Sequence, residues 1–563
     1  MHVRPLLPFA LVVASACATP APEGSDTPDA PSQPTNTSST TTPDTTPPDT
    51  GSATTTESAP PDTATDTTAT SDTAPPPPVI TPTAPRAGVD PLACTASGPV
   101  SWEHDGIVVS KEPEVSPWDV LPGTWTCTSG TQAASVVAEA ESHNLLVVFI
   151  DDVGIDRLGS YGLASPVPPT PTLDRLADEG VRFTNVYATP LCSPSRAALL
   201  TGKLPSRTGF GGLVGVNDTE DRLAGHRTVA EVVADQGYDT SVTGKWHLAG
   251  QEEIFRTHPA DHGFSWHRGT MNNPEVLTDL SRARGTYGSW QELDNGTLAD
   301  REGYLTTATV DDAIERLDAM KPPWLLYVPV NAVHTPLHTP PDDLRGPLDP
   351  PYTSRADEFD AVLHALDTEL GRLLDAVDDR GLTGSTNVVV MSDNGTQDFA
   401  IRPPYRASRS KGSVYEAGVR VPLWVTGPLV TTAGSTSSAM VHVTDLFATA
   451  QALSGAPDDG EVRDSVSFLP YLADPSLPSA RERLYSEKFT PNGHVERRSW
   501  SATLKDDAHK LITRQGGEDL FFRLDTPDDY DEGEALDLAA LDKADQEAYD
   551  RLKAEITDLQ AGF

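Results

Sequence analysis

The sequence predicts a three-layer α/β/α fold, with helices on both faces of a mainly parallel sheet. Two observations lead to this prediction. Short, continuous apolar runs are typical of strands that are buried on both faces of a parallel sheet. Helical patterns alternate with these runs, which favours a layered architecture. Each run also ends in polar residues, and the carboxyl edge of such a sheet is where α/β proteins build their sites.

The strands and helices of this core can be placed individually. Four runs are predicted as strands, and each leads into polar groups: 144–150 into Asp151 and Asp152, 238–243 into Lys245 and His247, 324–330 into His334, and 387–392 into Asp393 and Asn394. Helical patterns lie between the strands, over residues 172–179, 229–236, 308–320 and 356–379. Because parallel strands present their carboxyl ends at one edge, we expect a site there.

Length and charge limit the classes of function. The chain has 563 residues, more than one core usually organises, so we expect one large domain and one or two small ones. Its formal net charge is −41 and it has no basic stripe, which argues against nucleic acid as a partner. The same acidity disfavours long polyanionic substrates, unless a local basic pocket overrides the overall field.

The N-terminal residues are predicted to lie outside the folded core. Residues 1–17 are typical of an export signal, whose apolar run is too short to span a membrane. Ala14-Ser15-Ala16 fits an ordinary cleavage site, and with Cys17 it also resembles a bacterial lipobox. Residues 18–87, rich in Thr, Pro and Asp, are predicted to form a disordered linker. Since a tether needs a spacer, we expect a lipoprotein held to the cell envelope through Cys17; the alternative is a secreted or periplasmic protein.

Residues 88–140 are predicted to form a small N-terminal lobe, because this segment contains three tryptophans and two cysteines. The cysteines are Cys94 and Cys127. Because export leads to an oxidising compartment, a disulfide between them is the favoured interpretation, and two free thiols are the alternative.

A loop that turns into a helix is predicted around Cys192. Pro194 suits the first turn of a helix, the serine on either side of it can cap the free amides, and Gly202 ends the helix. Cys192 therefore lies at or just before a helix N-terminus, where amide dipoles favour negative charge. Arg196 follows about one turn later, so the stretch predicts an oxyanion site beside a sulfur nucleophile or its derivative.

This stretch resembles the maturation signature of type I sulfatases, which belong to the alkaline phosphatase superfamily. The match runs from Cys192 to Arg196 and continues through Thr201-Gly202-Lys203. In that family a formylglycine-generating enzyme oxidises the cysteine to formylglycine (3-oxoalanine), whose hydrate is the nucleophile. The resemblance implies that Cys192 and Arg196 are catalytic residues.

Asp151, Asp152, Asp393 and Asn394 offer only oxygen ligands, a set that suits Ca²⁺ or Mg²⁺ and not zinc. Taken alone, each pair is also explained by a helix cap or a turn. Asp-Asp-Val-Gly from residue 151 and Ser-Asp-Asn-Gly from residue 392 resemble the metal-ligand motifs of type I sulfatases. The resemblance implies Ca²⁺, with Mg²⁺ as the alternative, holding a formylglycine oxygen and a sulfate oxygen.

Lys245 and His247 lie in Gly-Lys-Trp-His-Leu, which resembles a further sulfatase motif. The resemblance implies that Lys245 binds formylglycine and sulfate and that His247 is the base that expels sulfate. Ala249 stands where the family usually has glycine.

Two more motifs follow in the family's order. His334-Thr335-Pro336 resembles the second histidine motif, although His338 begins a repeat of the same pattern. Lys411-Gly412, followed by residues 416–422, resembles the element whose lysine holds sulfate near the leaving oxygen; Ala417 departs from the usual glycine there. The resemblance implies that His334 is catalytic and that Lys411 binds the substrate.

The resemblance also implies the remaining domain boundaries. Residues 141–475 are expected to form the sulfatase catalytic domain, around a mixed, mainly parallel sheet. Residues 476–563 are expected to form a small C-terminal subdomain, with short antiparallel strands and an acidic-faced helix over 541–559.

The implied function is hydrolysis of sulfate monoesters of a small molecule or sugar. The ester is a stable monoanion, so cleavage needs cations around its nonbridging oxygens, and Arg196, Lys245, Lys411 and the metal ion would supply them. One alternative is a phosphodiesterase or phosphonate monoester hydrolase of the same superfamily. Another is a non-catalytic, surface-tethered binding protein in which Cys192 remains a thiol.

Overall fold

The structure of the protein is a computed structural model. It describes residues 78–81, 85–87, 91–96, 100–104, 107–111, 114–115, 123–129, 132–138, 142–250, 252–274, 285–526 and 529–561. The predicted export signal and nearly all of the predicted linker lie outside these ranges. Within them, no helix combines the length and apolar character needed to cross a membrane.

A β lobe precedes the main domain. Its strands are β1 (Val79–Thr81), β2 (Leu92–Thr95), β3 (Ser101–His104), β4 (Ile107–Ser110), β5 (Glu114–Val115), β6 (Gly123–Ser129) and β7 (Gln132–Ala138). They form the sheets β1-β2-β5 and β4-β3-β6-β7, and a disulfide from Cys94 to Cys127 links the two, as expected. Because β1 pairs with β2, ordered structure begins before residue 87, the predicted end of the linker.

A ten-stranded mixed sheet forms the centre of the main domain, in the order β13-β12-β11-β10-β14-β8-β15-β16-β9-β17. Its strands are β8 (Asn144–Ile150), β9 (Val181–Tyr187), β10 (Asp239–Lys245), β11 (Trp266–Thr270), β12 (Ser289–Asp294), β13 (Thr297–Glu302), β14 (Trp324–Pro329), β15 (Thr386–Ser392), β16 (Leu423–Thr426) and β17 (Ser435–His442). All of them run in one direction except β12 and β16. The predicted mainly parallel sheet is therefore confirmed.

Helices cover both faces of this sheet. They are α1 (Pro171–Glu179), α2 (Cys192–Thr201), α3 (Pro205–Thr208), α4 (Val229–Ala234), α5 (Glu252–Phe255), α6 (His258–Asp261), α7 (Leu305–Ala319), α8 (Arg355–Asp379), α9 (Glu416–Val419), α10 (Asp445–Ser454), α11 (Leu469–Ala473) and, in the C-terminal subdomain, α12 (Lys543–Ala561). Alternate residues of a strand face opposite sides of its sheet. Leu145, Val147 and Phe149 accordingly pack against α2, α4 and α10. The residues between them pack with α1, α7 and α8, which confirms the three-layer fold.

The C-terminal subdomain is a separate antiparallel sheet of β18 (Leu484–Thr490), β19 (Ser499–Lys505), β20 (His509–Arg514) and β21 (Leu520–Arg523). Helix α12 packs on it through Ala548, Leu552 and Ile556, which share a buried cluster with residues of β19 to β21. The predicted sheet-plus-helix subdomain is therefore present.

Candidate active site

The sheet order brings the predicted site residues to one edge. Strands β10, β14, β8 and β15 are consecutive neighbours and run parallel, so their carboxyl ends lie side by side. Backbone hydrogen bonds continue past the strand ends: the Asp151 amide donates to Ala332 O at 3.2 Å, and the Asp393 amide donates to Ile150 O at 2.9 Å. The loops that carry the polar residues are thus held in register with one another.

Cys192 is the first residue of α2 and is fully buried. Its Sγ lies 3.4 Å from Asp151 Oδ1 and 3.5 Å from Lys411 Nζ. The prediction that a serine side chain caps this helix is wrong, since Leu191 is the N-cap residue and no side-chain cap is formed. Instead Ser193 Oγ accepts the Val214 amide at 3.0 Å, which ties the helix start to a neighbouring loop.

Arg196 and Lys245 surround the Asp151 carboxylate. Arg196 Nη2 lies 3.2 Å from Asp151 Oδ2 and 3.1 Å from Asp393 Oδ2, and Lys245 Nζ also donates to Asp151. Arg196 Nη1 donates to the carbonyl of Lys245 at 2.6 Å, so the two cations are fixed relative to each other. All these side chains are buried, where charge interactions are stronger than in water.

Asp152 is the second centre of contacts. Lys411 Nζ lies 2.5 Å from Asp152 Oδ1, His334 Nε2 lies 3.7 Å from Asp152 Oδ2, and Asn394 Nδ2 donates to Asp152 Oδ1 at 2.7 Å. The backbone of Asp152 is left-handed, with φ 68°, an uncommon conformation for a residue with a side chain. The structure therefore brings residues from four separate loops into one cluster.

The protonation states follow from this crowding. Burial opposes the charge of Asp151, but the adjacent cations, Lys245 foremost, hold its pKa well below the ordinary value. Burial, and after it Asp151, raises the pKa of Asp393 to about 7. Burial and the carboxylates raise the pKa of the Cys192 thiol well above its ordinary value. An unmodified cysteine here is a protonated thiol near neutral pH, which is a weak nucleophile.

Both site histidines are neutral near pH 7. Burial, and after it Lys245 and Arg196, lowers the pKa of His247 well below its ordinary value. Burial, and after it Lys411, lowers the pKa of His334 to about 4. His247 is buried and left-handed, with φ 58°, and its Nδ1 has no hydrogen-bond partner among the described residues. A neutral imidazole with a free nitrogen can accept a proton.

The donor set fits a hard divalent cation. The predicted ligands are three carboxylates and one amide, all buried. Asn394 Oδ1 is buried and finds no hydrogen-bond donor in the part of the chain that the structure describes, so it is available to a cation. Oxygen ligands of this kind are the ones Ca²⁺ and Mg²⁺ take. Asp151, Asp152, Cys192 and His334 also bring potential ligand atoms within 4.8 Å of one another.

Of the two histidine motifs, the structure brings His334 to the cluster. His338 instead stacks on Tyr287, with ring centroids 4.2 Å apart, and its Nε2 lies 3.1 Å from Tyr304 OH. Tyr287 OH in turn donates to His334 O at 2.9 Å and so braces the loop.

Two residues of the cluster are absent from the predicted set. Gln397 Nε2 donates to Asp152 Oδ2, and Asn273 Nδ2 lies 3.4 Å from His334 Nε2. Gln397 follows Asn394 by three residues, which is the one signal that could have found it. Asn273 lies just beyond β11, and no motif in the sequence marks it.

This edge of the sheet is thus a buried, charge-dense site that suits a divalent cation and an oxyanion. The Sulfatase family model matches residues 143–456, which is more than half of the chain and includes every site residue named above. The chain belongs to the sulfatase family.

Curated relatives agree with this assignment. Human N-acetylgalactosamine-6-sulfatase is 32% identical over 363 residues, covering 58% of this chain and 65% of the relative. Arylsulfatase A of Bos taurus is 33% identical over 376 residues, covering 62% of this chain and 71% of the relative. The chain therefore spans about two thirds of the length of these proteins.

Solved structures share the fold. The crystal structure of Ps i-CgsB in complex with k-i-k-neocarrahexaose has a TM-score of 0.64 at 23% identity, covering 75% of this chain and 93% of that one. Another solved structure, in complex with its substrate D-glucosamine-2-N,6-O-disulfate, has a TM-score of 0.59 at 20% identity, covering 75% of this chain and 98% of that one. At these identities the likeness supports the fold alone.

Proposed function

We propose that this protein hydrolyses sulfate monoesters, using a formylglycine made from Cys192 and a divalent cation. One observation carries the proposal: Cys192 Sγ lies within 3.5 Å of both an Asp151 carboxylate oxygen and the Lys411 ammonium. The residue that the family oxidises is therefore beside a predicted metal ligand and a cation suited to sulfate.

The site residues have different roles in the proposed reaction. Arg196, Lys245 and Lys411 neutralise charge on the nonbridging sulfate oxygens; the side chains of Arg196 and Lys245 are buried, and that of Lys411 is largely so. Lys411, a protonated ammonium beside Asp152, gives a proton to the leaving oxygen of the alcohol. His334, which is neutral in the free site, is the alternative donor once binding of the anionic substrate has protonated it. His247, a neutral imidazole, takes the proton whose removal releases sulfate. A formylglycine hydrate supplies two hydroxyls on one carbon, which an unmodified cysteine lacks.

The cation would be held by Asp151, Asp152, Asp393 and Asn394. Bound there, it would polarise the sulfate oxygens and lower the energy of the attacking oxygen as an anion. We propose Ca²⁺, with Mg²⁺ as the alternative that the same oxygen donors accept.

The substrate class and surroundings are part of the proposal. The names of the curated relatives support a sulfated sugar or another small sulfate ester. Maturation would require a formylglycine-generating enzyme. The apolar N-terminus and the Ala-Ser-Ala-Cys that ends at Cys17 support export, as a lipoprotein of the cell envelope or as a secreted or periplasmic protein.

Mass analysis of one peptide and a pair of ester substrates test the proposal. The protein is produced with a formylglycine-generating enzyme, and the tryptic peptide 183–196 is analysed by mass spectrometry. We expect formylglycine at residue 192 and faster turnover of an aryl sulfate than of an aryl phosphodiester. Cys192→Ala should abolish turnover. A thiol at residue 192 in active protein would overturn the mechanism, preference for the phosphodiester would favour the phosphodiesterase alternative, and absence of both activities would favour a binding protein.

His334→Gln and His338→Gln form a matched pair for the same assay. Both replace a histidine that precedes Thr-Pro, and His334 alone of the two contacts the cluster. We expect a loss of about 100-fold or more in kcat for His334→Gln, in the range for a missing acid–base group, and little change for His338→Gln. Equal losses would contradict the assignment of His334.

A further inference from the structure

A second group of titratable residues lies outside the site. Asp221, His258 and His262 bring one ligand atom each within 4.8 Å of one another. His258 Nε2 lies 3.0 Å and His262 Nε2 lies 3.1 Å from Asp221 Oδ1, and both rings are buried. Two imidazoles and a carboxylate suit either a transition metal or a hydrogen-bonded network.

The hydrogen bond from Trp246 to His258 distinguishes between a metal site and a hydrogen-bonded network. The indole Nε1–H, which can only donate, lies 3.0 Å from His258 Nδ1, so Nδ1 accepts. A neutral imidazole that accepts at Nδ1 carries its proton at Nε2, and that proton points at Asp221. A metal at Nε2 would need the lone pair that the proton occupies. The cluster is therefore a hydrogen-bonded chain that runs from Asp221 through His258 to the indole.

Asp221 is well placed to begin such a chain. The same Oδ1 accepts the backbone amides of Leu223 and Ala224, each at 3.0 Å. These bonds and the histidine contacts keep the carboxylate ionised, and the hydrogen bonds from His258 and His262 hold the pKa of Asp221 below its ordinary value although burial opposes this. A fixed, charged acceptor orients the ring that donates to it.

Trp246 lies between two residues of the proposed active site. Lys245 and His247 belong to the charged cluster, whereas the Trp246 ring is buried in the core and meets Phe264 edge-on at 5.8 Å. The backbone of this bend is held as well, since the Trp246 amide donates to Thr270 O at 3.0 Å and the His247 amide to Met271 O at 2.8 Å. His247 is left-handed, a conformation that persists only where surrounding contacts hold it.

We propose that Asp221 and His258 are positioning residues, which fix the indole of Trp246 and through it the placement of Lys245 and His247. The inference rests on the proposed function for its kinetic consequence. Loss of the hydrogen bonds that join Asp221, His258 and Trp246 would leave the indole N–H without a partner in the core. The backbone of residues 245–247 could then shift. A shift of about 1 Å is enough to reduce the rate of a positioned reaction strongly.

Four single variants, and one double variant that combines two of them, test this in the full-length protein. His258→Leu removes both ring hydrogen bonds, and His258→Gln offers an acceptor and a donor again. Trp246→Phe removes the indole N–H together with part of the buried ring. His442→Leu is the control, because His442 is also buried and bonds to Thr444 at the end of β17, the last strand in the order of the sheet and not a neighbour of β10.

For aryl sulfate turnover, we expect His258→Leu to lower kcat by about 10-fold with KM changed less than about 3-fold, and His258→Gln to recover most of the loss. The double variant Trp246→Phe, His258→Leu should be no slower than either single variant, because both substitutions break the same series of hydrogen bonds. Backbone amide exchange gives a readout that does not depend on activity: peptides covering 239–247 should exchange faster in His258→Leu and unchanged in His442→Leu.

The outcomes separate this proposal from the proposed function. If His258→Leu keeps wild-type kcat and amide protection and only melts earlier, as His442→Leu should, the positioning role is wrong. Zinc that is retained in one equivalent by the wild type and lost in His258→Leu would make the cluster a metal site and would also overturn it. If the wild type cleaves no sulfate ester, the proposed function fails, and the exchange of 239–247 still decides the positioning role.

Discussion

The role of Asn394 as a metal ligand can be tested directly. Its Oδ1 is buried without a hydrogen-bond donor among the described residues, while its Nδ2 is used on Asp152. An orphaned buried acceptor is unfavourable unless something else binds it. A cation would satisfy it.

We therefore predict that Asn394→Ala lowers the affinity for Ca²⁺ by about 10-fold or more, in the range seen when the support of a metal site is lost. Calorimetric titration of the wild type and the variant with Ca²⁺, and separately with Mg²⁺, measures this without reference to turnover. Asn387→Ala is the matched control, because Asn387 is a buried asparagine near the start of β15, and Asn394 follows the other end of that strand. Equal affinities for Ca²⁺ in the wild type and Asn394→Ala would remove Asn394 from the ligand set.

His338 yields a prediction about pH. Burial lowers its pKa to about 4 from an ordinary value of 6.5. Between these values the unfolded chain binds a proton that the folded protein does not, so stability present above pH 6.5 is lost as the pH falls towards 4. His338→Phe keeps the stacking on Tyr287 and removes the titration, so we expect about 1–2 kcal/mol less acid destabilisation than in the wild type. Urea unfolding at pH 7.5 and pH 4.5 checks this, and parallel losses in both proteins would contradict it.

A site residue could be predicted from the sequence where it stands in a motif of several residues that together indicate one kind of chemistry. Asp151, Cys192 and Lys245 each stand in such a motif, and the fold brings them together. Gln397 and Asn273 were not predictable, because a lone amide has no pattern and its contact exists only after distant loops meet. The serines beside Pro194 do not cap the helix, because other contacts use their hydroxyl groups: Ser193 Oγ accepts the amide of Val214, and Ser195 Oγ accepts the amide of Thr189.

At the scale of elements, continuous apolar runs predicted β8, β14 and β15, because burial on both faces leaves such a signal. Strand β10, predicted from residues 238–243, is buried as well, although Thr240, Ser241 and Thr243 are polar. Their ends were less predictable. Strand β10 continues to Lys245, two residues past its predicted end at residue 243, and Gly244 allows a very close approach to the neighbouring strand β14. The order of strands in the sheet was not available from the sequence, because it depends on contacts between distant segments.

Gly244 supplies the test of that close approach. A Cβ at this position would lie 2.1 Å from Pro329 O, and φ is 125°. We predict that Gly244→Ala destabilises the protein by about 3 kcal/mol or more and lowers kcat, because it separates β10 from β14 at the site edge. Gly237→Ala is the control for backbone strain alone, since Gly237 has φ 86° and a Cβ added there would meet nothing within 4 Å. We expect about 1–2 kcal/mol there. Similar losses of stability and unchanged kcat in both variants would refute the steric explanation.

The C-terminal subdomain contributes to the loop that carries Lys411. Lys488, on β18, donates to the carbonyl of Gly412, and burial lowers the pKa of Lys488. We predict that Lys488→Met raises KM for an aryl sulfate by about 3- to 10-fold, because the Lys411 loop loses a support and the area loses positive charge. Lys543→Met, which alters a lysine with a 91% exposed side chain, should leave KM unchanged. Identical KM values for the two variants would show that Lys488 has no influence on the site.

At the scale of the molecule, the charge of the site differs from that of the chain. The chain carries a formal net charge of −41. In the site, Arg196, Lys245 and Lys411 formally balance the three carboxylates, so a bound divalent cation would make the site positive. That local field is what an anionic substrate needs when it approaches an acidic protein. The metal ion would thus help to attract the anionic substrate, in addition to its part in the reaction.

The N-terminal lobe has a hydrophobic cluster of its own. Its buried residues, among them Trp102, Trp125 and the Cys94–Cys127 disulfide, form one cluster that includes no residue of the main domain among those the structure describes. The disulfide closes a loop between cysteines 33 residues apart. By loop-closure entropy it stabilises the lobe by about 3–4 kcal/mol.

We predict that replacing Cys94 and Cys127 together by alanine lowers the melting temperature of the lobe and leaves the main domain intact. Scanning calorimetry should show one transition moving down, while kcat and KM for an aryl sulfate stay at wild-type values, since the lobe's core cluster contains no site residue. Dithiothreitol should move the same transition in the wild type and nothing in the variant. If kcat falls as well, the prediction is wrong, and the lobe supports the structure of the active site.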